Sequence, residues 1–566
     1  MCGMRKLREN LPRRVCRLIS RACPLFVSAA VFAAVAVRAA AATELAEAAR
    51  DEMRRTVRPG GVGGRPFWNA NCTYFMYPPA FGFAEIPGAK QYAFTVIDDL
   101  HRVFSFRAER PTASLEPVWE RLATNGFATV RCAALDAEGR EIKEVGLRRL
   151  FKKRAFEPGS YPPAARGYAE AARRICRFLE GSTAVKNFVR AGNPPRSYAL
   201  YCYPAKIVSS LIQMEAYRAK ALPSERDEAI RNARVFADWL IGQSAGPDAA
   251  WPHCPPTYSA GRADSDDVMT IYPASAGLAY LKLAAAGGGE KYRAAAVAIG
   301  ETYLKHQGAD GTWPLKVNAK TGKLLTKNRL VPSAVTEFLD ALAGATGEAK
   351  WRTAASRAFA YVERTLLASW NWEGQFEDTA PSRPYENITK HDACWTAIQL
   401  VARYPGDAAK IAEARELLRF AEDQFVFWDL PGRRDGAAPI ARGLFLEDFA
   451  QESWTVPSVI EQWPGCAWPI DSSVTKLIRT YLALYRAEGR PLDLAKARAL
   501  GDSMTRVQEP TGRIATFWVQ PKVIPGDPMG PGGRYPYNGW VDWINCMISD
   551  IFALEELAAE AGGTHR

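Results

Sequence analysis

Helical segments of two kinds alternate along most of this chain. Six are apolar on one face only, and they begin near residues 163, 224, 288, 348, 406 and 491. Six others are apolar on nearly all sides, and they begin near residues 199, 268, 332, 388, 472 and 540. A helix with one apolar face covers a core from outside, whereas a helix that is apolar all round lies inside it. Regular alternation predicts a repeat architecture that closes on itself, an (α/α)6 toroid of two concentric rings over residues 159–566.

Before residue 159 the sequence has the two-residue period of β-strands. Apolar and polar residues alternate in KQYAFTVID, RVFSFRAE and FATVRCAALD, and DAEGRE is typical of a turn between strands. Residues 66–158 are therefore predicted to form a small β-sandwich of the fibronectin type III or immunoglobulin type, preceded by a linker over residues 43–65. The predicted fold class is mainly α, a toroid that follows a small β domain.

The first 42 residues have the pattern of a signal peptide. They carry eight Lys or Arg against one acidic residue, then the apolar run PLFVSAAVFAAVAV and a stretch of alanines. A helix that spans a bilayer needs about 20 apolar residues, so this run is too short and is typical of a cleaved leader. The sequence predicts export to the periplasm or the medium, with no stable membrane insertion after cleavage. An uncleaved membrane anchor is the alternative.

The net charge of the chain is +12, which raises the question of nucleic-acid binding. Without the leader, however, 65 basic residues stand against 60 acidic ones, and no block of Lys or Arg remains that would follow a phosphate backbone. We therefore predict no nucleic-acid partner.

Metal-ligating residues are few and scattered. The chain has five His, and the eight Cys beyond the leader form no CxxC pair and no Cys/His cluster. Such spacing does not fit a zinc site. We predict no cofactor and no catalytic metal, and a structural calcium ion held by loop carboxylates is left open.

Tryptophan is concentrated in the links that run from a one-sided helix to the next all-round apolar helix. In a two-ring toroid these links all emerge on one face. They hold nine of the sixteen Trp: Trp251, Trp313, Trp370, Trp372, Trp428, Trp454, Trp463, Trp468 and Trp518. Flat aromatic rings can stack on sugar rings, so this pattern predicts a carbohydrate-binding mouth with Trp313, Trp372 and Trp454 as binding residues. The alternative is that long links fold back and bury these side chains.

The inner helices of such a toroid point their N-termini at the same face. Helix dipoles favour an anionic ligand at that end. Together with the Trp residues, this predicts a glycan that contains uronate. We expect His253, Tyr258, Arg262 and His391, which lie in the links or at the start of an inner helix, to contribute to its binding.

The chain resembles the six-hairpin glycosidase superfamily over about residues 160–560. The resemblance depends on the hairpin loop Gln307–Trp313, a looser copy in QEPTGRIATFW, and acid-rich starts of inner helices. That superfamily of (α/α)6 toroids includes unsaturated uronyl hydrolases, several glycanases and related polysaccharide lyases. The resemblance implies an enzyme that acts on carbohydrate.

Hydrolysis of a glycosidic bond requires two carboxyl groups, one protonated and one charged. We predict that Asp267, at the start of the second inner helix, and Asp392, in the first turn of the fourth, form this pair. Glu377, in the link EGQFEDT, is the third candidate. Helix capping and structural hydrogen bonding are the alternative roles of these acids.

Two other functions remain open at this stage. A polysaccharide lyase requires a Tyr or His base and a cation beside the uronate carboxylate, and His253, Tyr258 and Arg262 would supply them. A non-catalytic glycan-binding protein would use the Trp residues alone. Hydrolysis with two carboxylates is the main prediction.

Overall fold

Helices fill the chain from Tyr168 onward in the computed structural model. The structure describes residues 43–57, 74–194, 204–258, 266–375, 385, 387–429, 456–463, 466–516, 518 and 544–563. The predicted leader, residues 1–42, lies outside them. In chain order the helices are α1 (Tyr168–Gly181), α2 (Thr183–Ala191), α3 (Pro204–Ala221), α4 (Arg226–Gln243), α5 (Tyr272–Ala285), α6 (Glu290–His306), α7 (Ser333–Thr346), α8 (Ala349–Ser369), α9 (His391–Arg403), α10 (Ala408–Phe425), α11 (Asp471–Glu488), α12 (Pro491–Val507) and α13 (Ile544–Gly563).

Six of these helices close into an inner ring. Helix α3 packs on α5, and contacts continue through α7, α9, α11 and α13, which packs back on α3. Each inner helix also packs on one outer helix: α4, α6, α8, α10 and α12 follow their inner partners, and α1 packs on α13. The (α/α)6 toroid is therefore confirmed. The twelve helices of the two rings, which are all those named above except α2, begin within five residues of the predicted starts.

The outer helices bury the faces that the sequence pattern predicts. Helix α8, for example, buries Trp351, Ala355, Phe359 and Val362, and its other face is exposed. Inner helices approach each other closely where side chains are small. A Cβ on Gly277 of α5 would lie only 2.3 Å from the ring of buried Phe338 on α7.

The hairpin loop Gln307–Trp313 is an architectural brace between outer helices. The Gln307 side chain donates to the carbonyl oxygen of Gly311 at 2.8 Å and to that of Ala354 on α8 at 2.9 Å. Gly311 has a φ of +97°, and a Cβ there would lie 2.3 Å from the Arg357 carbonyl oxygen. Glycine is therefore required at this turn for both conformation and space.

The looser copy of this loop has the same geometry at the junction that closes the ring. Gln508 donates to the carbonyl oxygens of Gly512 and of Ala171 on α1, at 3.0 and 2.9 Å. Gly512 has a φ of +98°, and its Cβ would lie 2.3 Å from the Arg174 carbonyl oxygen. The repeated motif thus fixes the packing of neighbouring outer helices.

The N-terminal region contains one main sheet. The strands are β1 (Tyr74–Phe75), β2 (Ala80–Gly82), β3 (Gln91–Asp98), β4 (Val103–Ala108), β5 (Thr112–Ser114), β6 (Gly126–Leu135) and β7 (Glu141–Lys152). Five of them form a sheet in the order β1-β7-β6-β3-β4, and β2 pairs with β5 in a separate ribbon. The predicted β-sandwich is not confirmed, because the described strands form one large sheet and a two-stranded ribbon.

This sheet is joined to the toroid by buried polar contacts. Asp423 on α10 accepts hydrogen bonds from the backbone N–H groups of Met76 and Tyr77, at 2.6 and 2.8 Å. The predicted linker also takes part: residues 43–52 are helical, and Glu52 binds Lys496 of α12 at 2.6 Å. Burial opposes ionisation of Glu52, but Lys496 and Arg490 lower its pKa to about 2.

Long links that are neighbours in chain order contact each other through short strands. Strand β8 (Asp267–Met269) pairs with β9 (Lys316–Asn318), and β10 (Ile388–Thr389) pairs with β12 (Ser458–Trp463). Strand β12 also pairs with β11 (Val426–Phe427) and with β13 (Cys466–Pro469). The described parts of the links thus lie together at the N-terminal ends of the inner helices, as predicted.

Within the described ranges, no helix combines the length and apolar character that crossing a bilayer requires.

Candidate functional site

Charged and polar side chains from three inner helices meet inside the ring. We call Ser333, Glu337, Asp392, Trp395 and Lys476 the axial cluster; the first two belong to α7, the next two to α9 and the last to α11. Lys476 interacts electrostatically with Glu337 although α7 and α11 are separated in the ring by α9. Their interaction therefore crosses the interior of the ring.

Asp392 is the acid of this cluster nearest the helix N-termini. It is the second residue of α9 and is partly buried. Burial raises the pKa of Asp392 to about 6, while a hydrogen bond from the Ser333 side chain and the charge of Lys476 oppose the shift. A carboxyl group with this pKa can exchange a proton near neutral pH.

Glu337 lies one helical turn after Ser333 and is the second carboxyl of the cluster. Burial raises the pKa of Glu337, and the cations Arg479, Lys282 and Lys476 oppose that shift. The indole N–H of Trp395 lies near the same carboxyl group and also favours its charged form.

The two acids occupy successive levels of the α7–α9 contact. Asp392 faces Ser333, and three residues later on α9 Trp395 faces Glu337. One helical turn rises about 5.4 Å, so these two contacts lie about one turn apart along α9. A glycosidase uses two carboxyl groups, and this arrangement places one acid at each contact.

A second acidic pair lies beside the cluster, between α11 and α13. Asp471 and Asp550 are wholly buried, and the carboxyl group of Asp550 lies against that of Asp471. Burial raises the pKa of Asp550 well above its usual range, with Asp471 and Lys476 opposing the shift.

Strand β12 adds a polar network next to Asp392. Glu461 Oε1 lies 3.0 Å from His391 Nε2, and Glu461 Oε2 accepts from Lys390 Nζ at 3.2 Å and Ser473 Oγ at 2.5 Å. Burial opposes ionisation of Glu461, but Lys390 and His391 hold its pKa well below the usual range. Burial and the charge of Lys390 lower the pKa of His391 to about 4, so His391 is neutral at pH 7.

The predicted partner Asp267 is in a different position from the one expected. It lies in strand β8, and the inner helix α5 begins only at Tyr272, so Asp267 is not in the first turn of that helix. Lys316 Nζ is 3.7 Å from its carboxylate, and the side chain is 16% exposed. Glu377, the third predicted acid, lies outside the described residues.

Two of the three binding residues predicted before α5 are described, and they differ in exposure. His253 is exposed and has a left-handed backbone with φ of 62°. Tyr258 is buried, and Lys316 Nζ lies 5.0 Å from the centre of its ring. A buried Tyr258 under a lysine does not fit the open, base-like role that the lyase alternative requires. Arg262 lies outside the described residues.

Trp313 and Trp372, which the sequence predicts to bind sugar, are both buried. Trp313 is 0% exposed and donates its indole N–H to the Tyr303 carbonyl oxygen at 2.9 Å, while Trp372 is 1% exposed. Both rings fill space beneath the links, which is the alternative role considered for them. Trp454 lies outside the described residues.

Sequence reasoning missed Glu337, Lys476, Asp550 and Glu461. The sequence does contain a signal for Glu337, Lys476 and Asp550: each is a charged residue within a helix that is otherwise apolar on nearly all sides. Such a side chain can lie only on the inside of the ring or against a charged partner. Glu461 has no comparable signal, because its position depends on how the fifth link folds.

None of these groups forms a site for a metal ion. The part of the chain that the structure describes contains no group of three or more His, Cys, Asp or Glu side chains placed to bind one.

Comparisons with known proteins give similarity at the level of the fold. No family model matches the chain. No curated protein matches it. The chain is similar to the solved structure of a family 76 glycoside hydrolase from a bovine Bacteroides thetaiotaomicron strain, with 11% identity, 86% of this chain and 97% of that chain covered, and a TM-score of 0.42.

Two further solved structures are also similar to the chain. D-mannose isomerase is 13% identical, with 71% of this chain and 100% of that chain covered and a TM-score of 0.49. Cellobiose 2-epimerase from Spirochaeta thermophila is 13% identical, with 68% and 98% covered and a TM-score of 0.45. The (α/α)6 fold predicted from the sequence is confirmed by the closed ring of helix contacts described above.

Proposed function

We propose that the protein is an exported enzyme that hydrolyses a glycosidic bond in a uronate-containing glycan. The observation that carries the proposal is the pair Asp392 and Glu337. These are two carboxyl groups of raised pKa on neighbouring inner helices, in α7–α9 contacts about one helical turn apart, and the charge of Lys476 acts on both. Export is proposed from the leader pattern alone.

The two acids take different roles in this reaction. Asp392, with a pKa of about 6, donates a proton to the leaving oxygen. Glu337 is assigned as the charged partner: burial raises its pKa, but Arg479, Lys282 and Lys476 all favour its ionised form. It acts either on a water molecule or directly on the sugar, and which one depends on the separation of the carboxyl groups in the substrate complex.

Asp267 is the alternative partner that the sequence predicts. Its proximity to Lys316 favours a charged carboxylate, which is the state a base or nucleophile requires. The two assignments are separated by experiment. If Glu337 is the partner, Glu337→Gln lowers turnover by a factor on the order of 10² or more, whereas Asp267→Asn leaves most of it.

The test is incubation of the protein with a panel of neutral and acidic polysaccharides. Wild type and the variants Asp392→Asn, Glu337→Gln and Asp267→Asn are compared for new reducing ends and for ultraviolet-absorbing products. Reducing ends without absorbance support hydrolysis, and absorbing unsaturated products indicate a lyase. Binding to a glycan that stays intact, with wild type and variants alike, contradicts the proposal and favours a non-catalytic binding protein.

A further inference from the structure

Lys476 differs from the other cations near the axis of the ring. It is partly buried, and among the residues that the structure describes no carboxylate lies within 4.0 Å of its ammonium group. Its charge nevertheless acts on carboxyl groups of three other inner helices: Glu337 on α7, Asp392 on α9 and Asp550 on α13. Lys476 therefore lies within electrostatic range of all three.

The neighbouring cations already have partners. Lys390 binds Glu461, and Arg479 binds Glu556 on α13 at 2.8 Å. Lys282 Nζ donates to Gln213 at 2.7 Å and lies 4.2 Å from the centre of the Phe552 ring.

The acids around Lys476 do not neutralise it by direct contact. Asp392 accepts a hydrogen bond from Ser333, Glu337 lies near Trp395 and Arg479, and the Asp550 carboxyl is turned to Asp471. An ammonium group inside a protein is costly unless an anion pairs with it. The ammonium group of Lys476 acts on the two acids that would act on a substrate. An anionic group of the ligand can therefore be its ion-pair partner.

We propose that Lys476 binds the carboxylate of the sugar residue whose bond is cleaved, and so selects an acidic sugar over its neutral counterpart. This inference rests on the proposed function, since it places the substrate carboxylate beside Asp392 and Glu337. A lysine suits the role because its compact ammonium can form a single ion pair within a narrow space. In this proposal a residue of α11, and not the links, determines the preference for an acidic sugar.

The test uses one acidic glycan that the wild type cleaves and the same glycan with its carboxyl groups chemically reduced to alcohols. Lys476→Met is expected to raise KM for the acidic glycan at least tenfold and to abolish the preference of the wild type for the acidic over the reduced glycan. Lys476→Arg is expected to retain the preference for acid. Lys291→Met is the control, because Lys291 is 61% exposed and pairs with Asp238 on the outside of the toroid.

A binding measurement keeps the inference testable if a variant turns over poorly. Titration calorimetry with glucuronate and with glucose is expected to show that wild type binds the acid more tightly and that Lys476→Gln loses this difference. Circular dichroism and thermal unfolding show whether each variant is folded.

The possible failures are distinguishable. If wild type cleaves only neutral glycans, or if Lys476→Met affects acidic and reduced glycans equally, the role of Lys476 is wrong and hydrolysis stands. If wild type cleaves no glycan of either kind, the proposed function is wrong, and a preference for glucuronate that Lys476→Gln abolishes would still support an anion site. Equal binding of glucuronate and glucose by wild type overturns the inference.

Discussion

Glu461 and His391 connect the fifth link of the toroid to an inner helix. Glu461 Oε1 lies 3.0 Å from His391 Nε2, and His391 is the first residue of α9, directly before Asp392. The same carboxylate binds the wholly buried ammonium of Lys390. The position of Asp392 thus depends on a strand that comes from a different part of the chain.

Replacement of Glu461 by alanine is expected to destabilise the protein. Burial lowers the pKa of Lys390 to about 8, and Glu461 is the main group that opposes this shift. Removal of one member of a buried ion pair costs about 3 kcal/mol, because the other charge stays buried without its partner. Denaturant unfolding of Glu461→Ala measures this loss.

The control for that experiment is Glu348→Ala. Glu348 pairs with Lys350 on an exposed outer helix, with 46% of its side chain exposed, so its replacement is expected to have little effect. Equal stabilities of the two variants would contradict a structural role for the Glu461 network.

The activity of the enzyme is expected to fall as pH rises through about 6. A general acid works in its protonated form, and the pKa of Asp392 is about 6, so kcat/KM is highest below that value and declines above it. Asp392→Asn is expected to lower kcat/KM by a factor on the order of 10²–10⁴ and to remove this decline.

The measurement is a pH profile of kcat/KM on whichever glycan the wild type cleaves. Asp248→Asn is the control, because Asp248 is exposed and lies in the link before Trp251. A decline through pH 6 that persists in Asp392→Asn would assign the titration to another group.

The toroid could be predicted from the sequence because the packing of each helix determines which of its residues are apolar. An inner helix is apolar nearly all round and an outer helix on one face, so the order of the two kinds indicates the two rings. The motif Gln307–Trp313 could also be recognised in the sequence, but its structural role could not. Hydrogen bonds from Gln307 to Gly311 and Ala354 show that it braces outer helices.

The site was harder to predict because exposure and proximity depend on tertiary structure. Trp313 and Trp372 lie in links, where residues are usually exposed, yet the links fold over and bury them. Asp392 could be named because it begins an inner helix. Glu337 and Lys476 lie deeper along their helices, and only the ring brings α7 and α11 to face the same space.

Trp313→Ala is expected to lower stability rather than to weaken sugar binding selectively. The ring is fully buried and its indole N–H binds the Tyr303 carbonyl oxygen at 2.9 Å. Replacement of a buried Trp by alanine costs about 3–5 kcal/mol, mostly through the cavity that remains. Chemical unfolding measures the loss, and Trp313→Phe is expected to lose less because it fills most of the space.

A different outcome would restore the earlier interpretation of this residue. If Trp313→Ala unfolds at the same denaturant concentration as wild type but binds glycan more weakly, Trp313 is a sugar platform that the links uncover on binding.

Glu215, near the C-terminal end of inner helix α3, is expected to make the free energy of unfolding fall as pH rises. Arg218 binds Glu215 at 3.1 Å and also pairs with Glu180 and Glu225, so one cation serves several carboxylates. Burial raises the pKa of Glu215 to about 7, with Arg218 opposing the shift. The folded state therefore binds the proton more tightly than the unfolded state, whose pKa is 4.5.

It follows that the folded state bears no penalty from Glu215 below pH 4.5, and that stability is lost as pH rises from there to about 7. A shift of this size corresponds to about 3 kcal/mol. Glu215→Gln is expected to remove that loss, so the variant gains on the wild type between pH 5 and pH 8 in unfolding experiments. Glu138→Gln, a change at a side chain that is 62% exposed, serves as the control. Parallel pH profiles for Glu215→Gln and wild type would show that Arg218 keeps Glu215 ionised throughout.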